Sequence, residues 1–416
     1  MDYAGVPGQS SPPRSAIVVG AGVVGVATAW ALARRGVAVT LIERASGPGQ
    51  GASFANGAQL SYIYTDALAN PALLRRIPAL VLGLDPSLSL SPRLDPGMIG
   101  WLLAFLRNAT TNAFLANTAA GLALGLESRL ALHELLDRHS IDFGHRMAGK
   151  IVIHRDQAAF SAACRLVDLK RQHGGIQDIL DPTAAIAIEP ALASQPDQMV
   201  GAIHSPQEEL GDPHRFCHAM IGLLTASYGV SVKFGAAVQG WQETAESVVV
   251  ATGSGESLEA DQLVVCAGID AGRVLGRSIK SFRSSALMPM KGYSLTAPPG
   301  SATPRMSITD VSRKIVFCPL DGAVRVAGLA ELGARDTCIE PARIARLKAI
   351  AAQSLPDAAD YAAARSEWAG IRPMTANSQP IIKRITPRVA INAGHGMLGW
   401  TFAMGTAERM ARLIGE

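Results

Sequence analysis

The chain has 416 residues, enough for two domains with separate buried cores. Hydrophobic residues make up 48% and charged residues only 17%, the balance of a compact soluble enzyme rather than a disordered chain. The formal net charge of +4 comes without any long Lys/Arg run, which argues against a phosphate-tracking surface and hence against nucleic acid.

Met1 to Arg14, rich in Gly, Pro and Ser, reads as a flexible tail, neither a signal peptide nor a membrane span. Then an apolar strand, Ile17 to Val19, delivers the backbone into Gly20-x-Gly22-x-x-Gly25, followed by Ala29, Gly36, a second strand over Val37–Ile42 and an acid, Glu43. Gly20 allows a tight strand-to-helix turn, and Gly22 lets the backbone approach a pyrophosphate. Gly25 lets the helix pack on the sheet, while the helix N-terminus points free N–H groups at the phosphates. Glu43 is placed to accept hydrogen bonds from a ribose diol. Strand, glycines, second strand and acid are all in register, which points to an ADP-containing dinucleotide. An acid at 43 argues against a 2′-phosphate, and so against NADP. The unit does not separate FAD from NAD.

A Gly/Ser/Asn/Gln loop follows, and Asp66 to His139 has helical spacing. Two apolar stretches, Ile77–Leu84 and Met98–Leu106, are too short to span a membrane but can cover a hydrophobic surface. Lys150–His154 reads as a strand. Asp212–Tyr228 reads as a helix with Asp212 as N-cap and Pro213 at its first position. The strand Leu263–Cys266 meets Ala267-Gly268, a second place for backbone to approach a cofactor. Strands are expected at Lys291–Thr296, Lys314–Cys318 and Val324–Gly328, and a helix at Pro341–Ser354. The chain closes on a strand, a Gly/His loop and a helix. Five dispersed cysteines without a CxxC suit a reducing compartment. His214, Cys217 and His218 lie in an ordinary amphipathic helix, so no metal is expected.

Apolar strands ending in glycine recur at the start, middle and end of the chain. The fold class is therefore read as α/β: a discontinuous Rossmann-like dinucleotide-binding domain (residues 15–65, 200–275 and 366–416) with an inserted α+β mixed-sheet domain (66–199 and 276–365) that carries a helical segment.

Taken together, GxGxxG, VVCAG (264–268), WAGIRPMT (368–375) and AGHGMLGWTFAMG (393–405) resemble the FAD-dependent D-amino-acid oxidase/glycine oxidase superfamily. Ser53–Ser61, Lys291–Thr296 and Gly394–Thr401 sharpen the resemblance to bacterial D-amino-acid dehydrogenases of the small-subunit type. The resemblance implies FAD, oxidation of a C–N bond beside a carboxylate, and electrons passed to a quinone, a carrier protein or oxygen. Cyclic substrates such as D-proline or hydroxy-D-proline stay open. So do two rival readings: a glycine or N-methyl amino-acid oxidase using oxygen, and a flavin-binding subunit whose chemistry lies on a partner. The expected address is cytoplasmic, with peripheral contact at the inner face of a membrane left open.

Arg372, in the Arg-Pro motif, is the expected carboxylate clamp, since a guanidinium binds a carboxylate through two parallel hydrogen bonds. Tyr293 is expected on a strand facing the flavin, with Lys291 less certain and Tyr62 and Tyr64 as further candidates for the pocket. His395 has two readings, a general base or part of a flavin-contact loop of Gly394, His395, Gly396, Met397, Leu398, Gly399, Trp400 and Thr401 at a helix N-terminus. Further cofactor contacts are expected at Gly20, Gly22, Val24, Gly25, Glu43, Arg44, Ser53, Asn56, Gln59, Leu60, Val238, Ala267, Gly268 and Arg372. Sarcosine oxidases tether flavin through a cysteine that Trp368–Pro373 lacks, and no lysine stands in GHGMLGW, so the FAD is expected to be noncovalent.

Overall fold

The computed structural model describes residues 13–74, 88–90, 96–194, 199–276 and 286–415. The principal elements are β1 (Ser15–Val19), α1 (Val23–Ala33), β2 (Ala38–Ile42), α2 (Thr111–Arg138), β3 (Lys150–His154), β4 (Glu209–Leu210), α3 (Pro213–Tyr228), β5 (Gln262–Val265), β6 (Met288–Ala297), β7 (Ala323–Leu332), α4 (Pro341–Ser354), β8 (Ser366–Met374), β9 (Val389–Ala393) and α5 (Gly399–Gly415).

Two large sheets organise the chain. The first has six strands, with β9, β5, β1 and β2 side by side between Ile381–Arg384 and Ser231–Lys233. Its pairings are parallel except at the Ile381–Arg384 edge, the Rossmann-like arrangement that the first forty residues predict. α1 lies on it with almost no polar face: every residue from Gly25 to Leu32 is buried, between the sheet, α3 and α5. α3 starts as its sequence predicts, with the Asp212 carboxylate accepting from His214 N (2.8 Å) and Arg215 N (3.1 Å).

The second sheet has nine strands, running β8, β6, β7, Ile315–Leu320, Ser307–Asp310, β3, Gly201–Ser205 and Asp178–Leu180, with Leu88–Leu90 added to β7. It mixes antiparallel and parallel pairs. α4 covers one face, over a core that includes Leu295, Phe317, Val326 and Leu347.

Three segments sit differently from the sequence division. Gly201–Ser205 pairs with β3, and β8 pairs with β6 from Met288–Met374 to Thr296–Ser366, so both belong to the second sheet. Pairing partners far apart in sequence decide sheet membership, and local alternation does not encode them. α2 buries Ala131, Leu132 and Leu135 in the core of the first sheet, against α5. Of the two short apolar stretches, Ile77–Leu84 lies outside the described residues. The other falls in the helix Pro96–Asn108, which buries Met98, Trp101 and Phe105 and exposes Ile99, Leu103 and Leu106. Among the described residues no helix is long and apolar enough to cross a membrane.

Candidate active site

A cleft of about 370 Å³ opens between the C-terminal ends of the parallel strands and the uncovered face of the second sheet. Its floor is the glycine turn after β1. Gly20 has φ +106°, and a Cβ there would sit 2.7 Å from Cys266 O; a Cβ at Gly25 would sit 1.7 Å from Gly20 O. Only glycine allows this three-way approach of β1, α1 and β5. Glu43 ends β2 at the rim, its carboxylate accepting from Ala21 N (2.8 Å) and Ala45 N (2.9 Å). Each oxygen keeps a lone pair for a further donor. Arg44 pairs with Asp270 across the rim at 2.9 Å.

Of the expected cofactor contacts, Gly20, Gly22, Val24, Glu43, Arg44, Ser53, Asn56, Val238, Ala267, Gly268, Arg372, Gly396, Met397, Gly399 and Trp400 border the cleft. Gly25 works beneath it. Ser53 Oγ accepts from Val23 N at the start of α1 (3.2 Å), and Asn56 Oδ1 accepts from Ala58 N (2.9 Å), where φ is +56°. Gln59, Leu60, Gly394, Leu398 and Thr401 stand behind the lining. Gln59 and Leu60 pair with β4, and the side-chain Oε1 of Gln59 accepts from Lys150 Nζ (2.8 Å). Thr401 Oγ1 accepts from Ser61 N at 3.0 Å, tying α5 to the same segment.

Arg372 projects from β8 into the cleft. It lies across Gly292 of the neighbouring strand, where a Cβ would fall 2.5 Å from Nη2. Desolvation lowers its pKa to about 10, so it stays charged at neutral pH. Among the described residues no carboxylate or carbonyl pairs with it. An unpaired, desolvated guanidinium is costly unless an anion completes it.

His395 is buried, and its Nε2–H donates to Thr406 Oγ1 (2.9 Å), whose hydroxyl is spent on Ala403 O (3.1 Å). That assignment leaves Nδ1 as the unprotonated nitrogen. Burial drives the pKa down to about 3, so the imidazole is neutral and a weak base at any working pH. This supports the flavin-contact reading over the general-base reading. It also has a consequence for stability. The folded-state pKa lies below the ordinary 6.5, so stability is intact above pH 6.5. It is lost as pH falls toward 3, by about 1.4 kcal/mol per unit. His395→Gln should flatten that part of the acid-unfolding curve; a curve identical to wild type would show that His395 does not set it.

Tyr293 requires a correction. It borders the cleft, but its ring belongs to the core behind β6, and its hydroxyl donates to Glu331 (2.8 Å), itself paired with Arg343 of α4. Alternation along β6, unbroken in its pairing with β8, sends Ser294 rather than Tyr293 toward the first domain; the register shift against β7 leaves the extra residue, Leu329, on β7. Ser294 Oγ donates to Ala55 O at 2.6 Å. Lys291 is taken by Asp336 (2.9 Å). Tyr62 and Tyr64 are likewise turned from the cleft, Tyr62 donating to Glu209 (2.9 Å) and Tyr64 lying under Lys150 Nζ (4.2 Å).

Sequence reasoning gave no role to Trp368, Ala327 and Asn392, which also line the cleft. Trp368 was legible, since it lies four residues before Arg372 on the same face of a strand; nothing local marks Asn392. Elsewhere, His133, His145 and Glu209 gather their ligand atoms within 4.8 Å. Arg129 Nε stands 3.6 Å from the Glu209 carboxylate, and that fixed cation opposes a divalent ion, so the cluster is a hydrogen-bonded carboxylate.

The residues present fit FAD: a cradle that side chains would fill, an acid at the ribose position, and a cation beyond it toward the second sheet. Comparisons agree. The chain is 37% identical over 412 residues to "D-amino acid dehydrogenase 2" of Ralstonia nicotianae, covering 96% of both chains. It is 37% identical to "D-amino acid dehydrogenase 2" of Pseudomonas aeruginosa, covering 96% of this chain and 94% of that one. In three dimensions it is similar to glycine oxidase from Geobacillus kaustophilus, with TM-score 0.74, 21% identity and coverage of 97% and 95%. The fold is likewise that of L-proline dehydrogenase from P. horikoshii, with TM-score 0.74, 17% identity and coverage of 97% and 94%. The profile described as FAD dependent oxidoreductase matches residues 15–413, and the chain belongs to that family.

Proposed function

We propose that the protein is a D-amino-acid dehydrogenase. The observation that carries the reading is Arg372, a cation without a partner among the described residues, desolvated in the wall of the same cleft that holds the glycine cradle. The 37% identity to relatives named D-amino acid dehydrogenase, over 96% of the chain, supports it. Bound FAD supplies a two-electron acceptor. The chain supplies the rest. Arg372 fixes the substrate carboxylate through paired hydrogen bonds, which sets where Cα lies. The second sheet covers the reacting carbon and excludes water.

Among the described lining residues the carboxylates, Glu43 and Asp270, belong to the first-domain rim and are engaged there, and on the reacting side His395 is neutral and weakly basic. The substrate therefore enters with a neutral amine, and the Cα hydrogen leaves with both bonding electrons. The nitrogen lone pair forms the C=N bond, and water then releases the 2-oxo acid and ammonia. The acceptor that takes the electrons onward is a quinone, a carrier protein or oxygen. We place the enzyme in the cytoplasm, with the exposed row Ile99, Leu103 and Leu106 as its surface for peripheral membrane contact.

The test is anaerobic mixing of the purified yellow protein with D-amino acids, glycine and N-methyl amino acids, following flavin absorbance. Bleaching by D-amino acids is expected. Bleaching by glycine or N-methyl amino acids alone would favour the oxidase reading, and none at all would favour a subunit whose chemistry lies elsewhere. Mixing the bleached protein with oxygen or a quinone then ranks the acceptors. Acid precipitation should leave the FAD in the supernatant; yellow protein in the pellet would reveal a covalent link.

A further inference from the structure

Arg372 and Trp368 lie four residues apart on β8, both on the face turned to the first domain, with Gly370 between them. The register sets Gly292 opposite Gly370 and Ser294 opposite Trp368. Neither glycine has room for a side chain. A Cβ at Gly370 would lie 2.1 Å from Cζ2 and 2.2 Å from Cη2 of the Trp368 indole, and one at Gly292 would lie 2.5 Å from the Arg372 guanidinium. The indole is thus folded along its own strand over Gly370, toward the arginine, and the arginine is folded sideways over Gly292. The two side chains start roughly 13 Å apart at their Cα atoms, by strand rise. They cover the two paired glycines side by side.

The charges in the cleft are segregated. Glu43, Arg44, Asp270 and Arg273 belong to the rim of the first domain, where Asp270 joins Arg44 (2.9 Å) and Arg273 (3.5 Å). On the second-sheet side, Arg372 is the one ionised group among the described lining residues; its neighbours there include Ser294, Ala327, Trp368 and Ile371. Among the described residues no anion waits there for a cationic substrate side chain, and no second cation for an acidic one. Burying either charge unpaired would be costly.

We infer that Trp368 is the specificity-determining residue, its indole forming the wall against which the substrate's side chain packs, and that the substrates are amino acids with neutral, apolar or aromatic side chains. This rests on the reading of Arg372 as the carboxylate clamp. With the carboxylate on the guanidinium, a side chain running back along β8 meets the indole where it lies over Gly370. Dispersion and ring contacts there discriminate by size and polarity.

The experiment compares wild-type holoenzyme with Trp368→Ala and Trp368→Phe, using anaerobic flavin bleaching with D-alanine, D-leucine, D-phenylalanine, D-lysine and D-glutamate. Wild type should favour D-leucine and D-phenylalanine over D-lysine and D-glutamate by at least about tenfold in kcat/KM. Trp368→Ala should lower kcat/KM for D-leucine and D-phenylalanine by roughly 10- to 100-fold, mostly through KM, while D-alanine changes by less than about threefold. Trp368→Phe should keep most of the preference. FAD content should not change. An equal fall for D-alanine and D-phenylalanine, or wild-type turnover of D-lysine or D-glutamate as fast as of D-leucine, would overturn the inference while leaving the clamp in place. If the Ala variant loses its FAD, the Phe variant and the wild-type ranking decide. Failure of every D-amino acid to bleach wild type would instead overturn the functional reading, and this inference with it.

Discussion

Arg372→Met is expected to lower kcat/KM for amino-acid substrates by two to four orders of magnitude and to leave FAD in place. The guanidinium sits over Gly292 with no internal partner among the described residues, and burial has already lowered its pKa to about 10. Its desolvation cost is therefore offset only when a carboxylate arrives. Methionine keeps the length and apolar volume but removes both hydrogen bonds and the charge, leaving a buried anion unpaired at roughly 3–5 kcal/mol. Most of the loss should appear in KM. Part should appear in kcat, because the clamp also aims Cα, and a displaced carbon reacts slowly. An amine without a carboxylate should scarcely respond. Near-normal kcat/KM in the variant would remove Arg372 from the site, and loss of flavin would make it a cofactor residue.

The second large effect concerns stability. Glu208→Ala should lower Tm by about 3–6 °C, the equivalent of roughly 3–5 kcal/mol in a chain this size. Glu208 is fully buried, and its carboxylate accepts from three successive backbone N–H groups, those of Tyr62 (2.6 Å), Ile63 (2.8 Å) and Tyr64 (3.2 Å). Burial raises its pKa to about 6 and lowers that of Lys150 to about 8, while their mutual attraction opposes both shifts. Lys150 Nζ donates to Gln59 (2.8 Å) and Ser61 (2.9 Å) on the same segment. Alanine would strand three buried donors and a buried cation together. Glu208→Gln, which keeps an acceptor oxygen, should lose less, and adding Lys150→Met to it should recover part of that loss. Since Ser61 is bonded to Thr401 at the start of α5, FAD retention should weaken along with Tm. A Tm within two degrees of wild type in the alanine variant would sink the argument.

The contrast between these two residues shows what the sequence could reveal. Arg372 was legible because its chemistry sits in a short contiguous motif, and the glycine cradle because strand, turn, helix and acid follow one another within thirty residues. Glu208 and Lys150 were not. Each looks like an ordinary charged residue until folding brings them to the same segment across the gap from residue 64 to residue 150. Tyr293 differs for a related reason: which face of β6 meets the first domain is set by what packs on each face, Glu331 and α4 behind Tyr293 and Ala55 against Ser294, which no local pattern carries. The placement of β8 in the second sheet has the same origin, a nine-residue register with a strand some eighty residues earlier.

The wrapping of α1 on every side bears on how the protein is made. Its apolar surface leaves the ribosome long before β9 and α5, which help to cover it and lie more than 350 residues further along the chain. At about 5–20 residues per second the helix waits tens of seconds for its cover. During translation the N-terminal unit is therefore a client for chaperones rather than a finished nucleotide-binding module. Flavin loading becomes a step that follows synthesis of α5, and truncations that remove β9 and α5 should yield aggregates rather than partly active fragments.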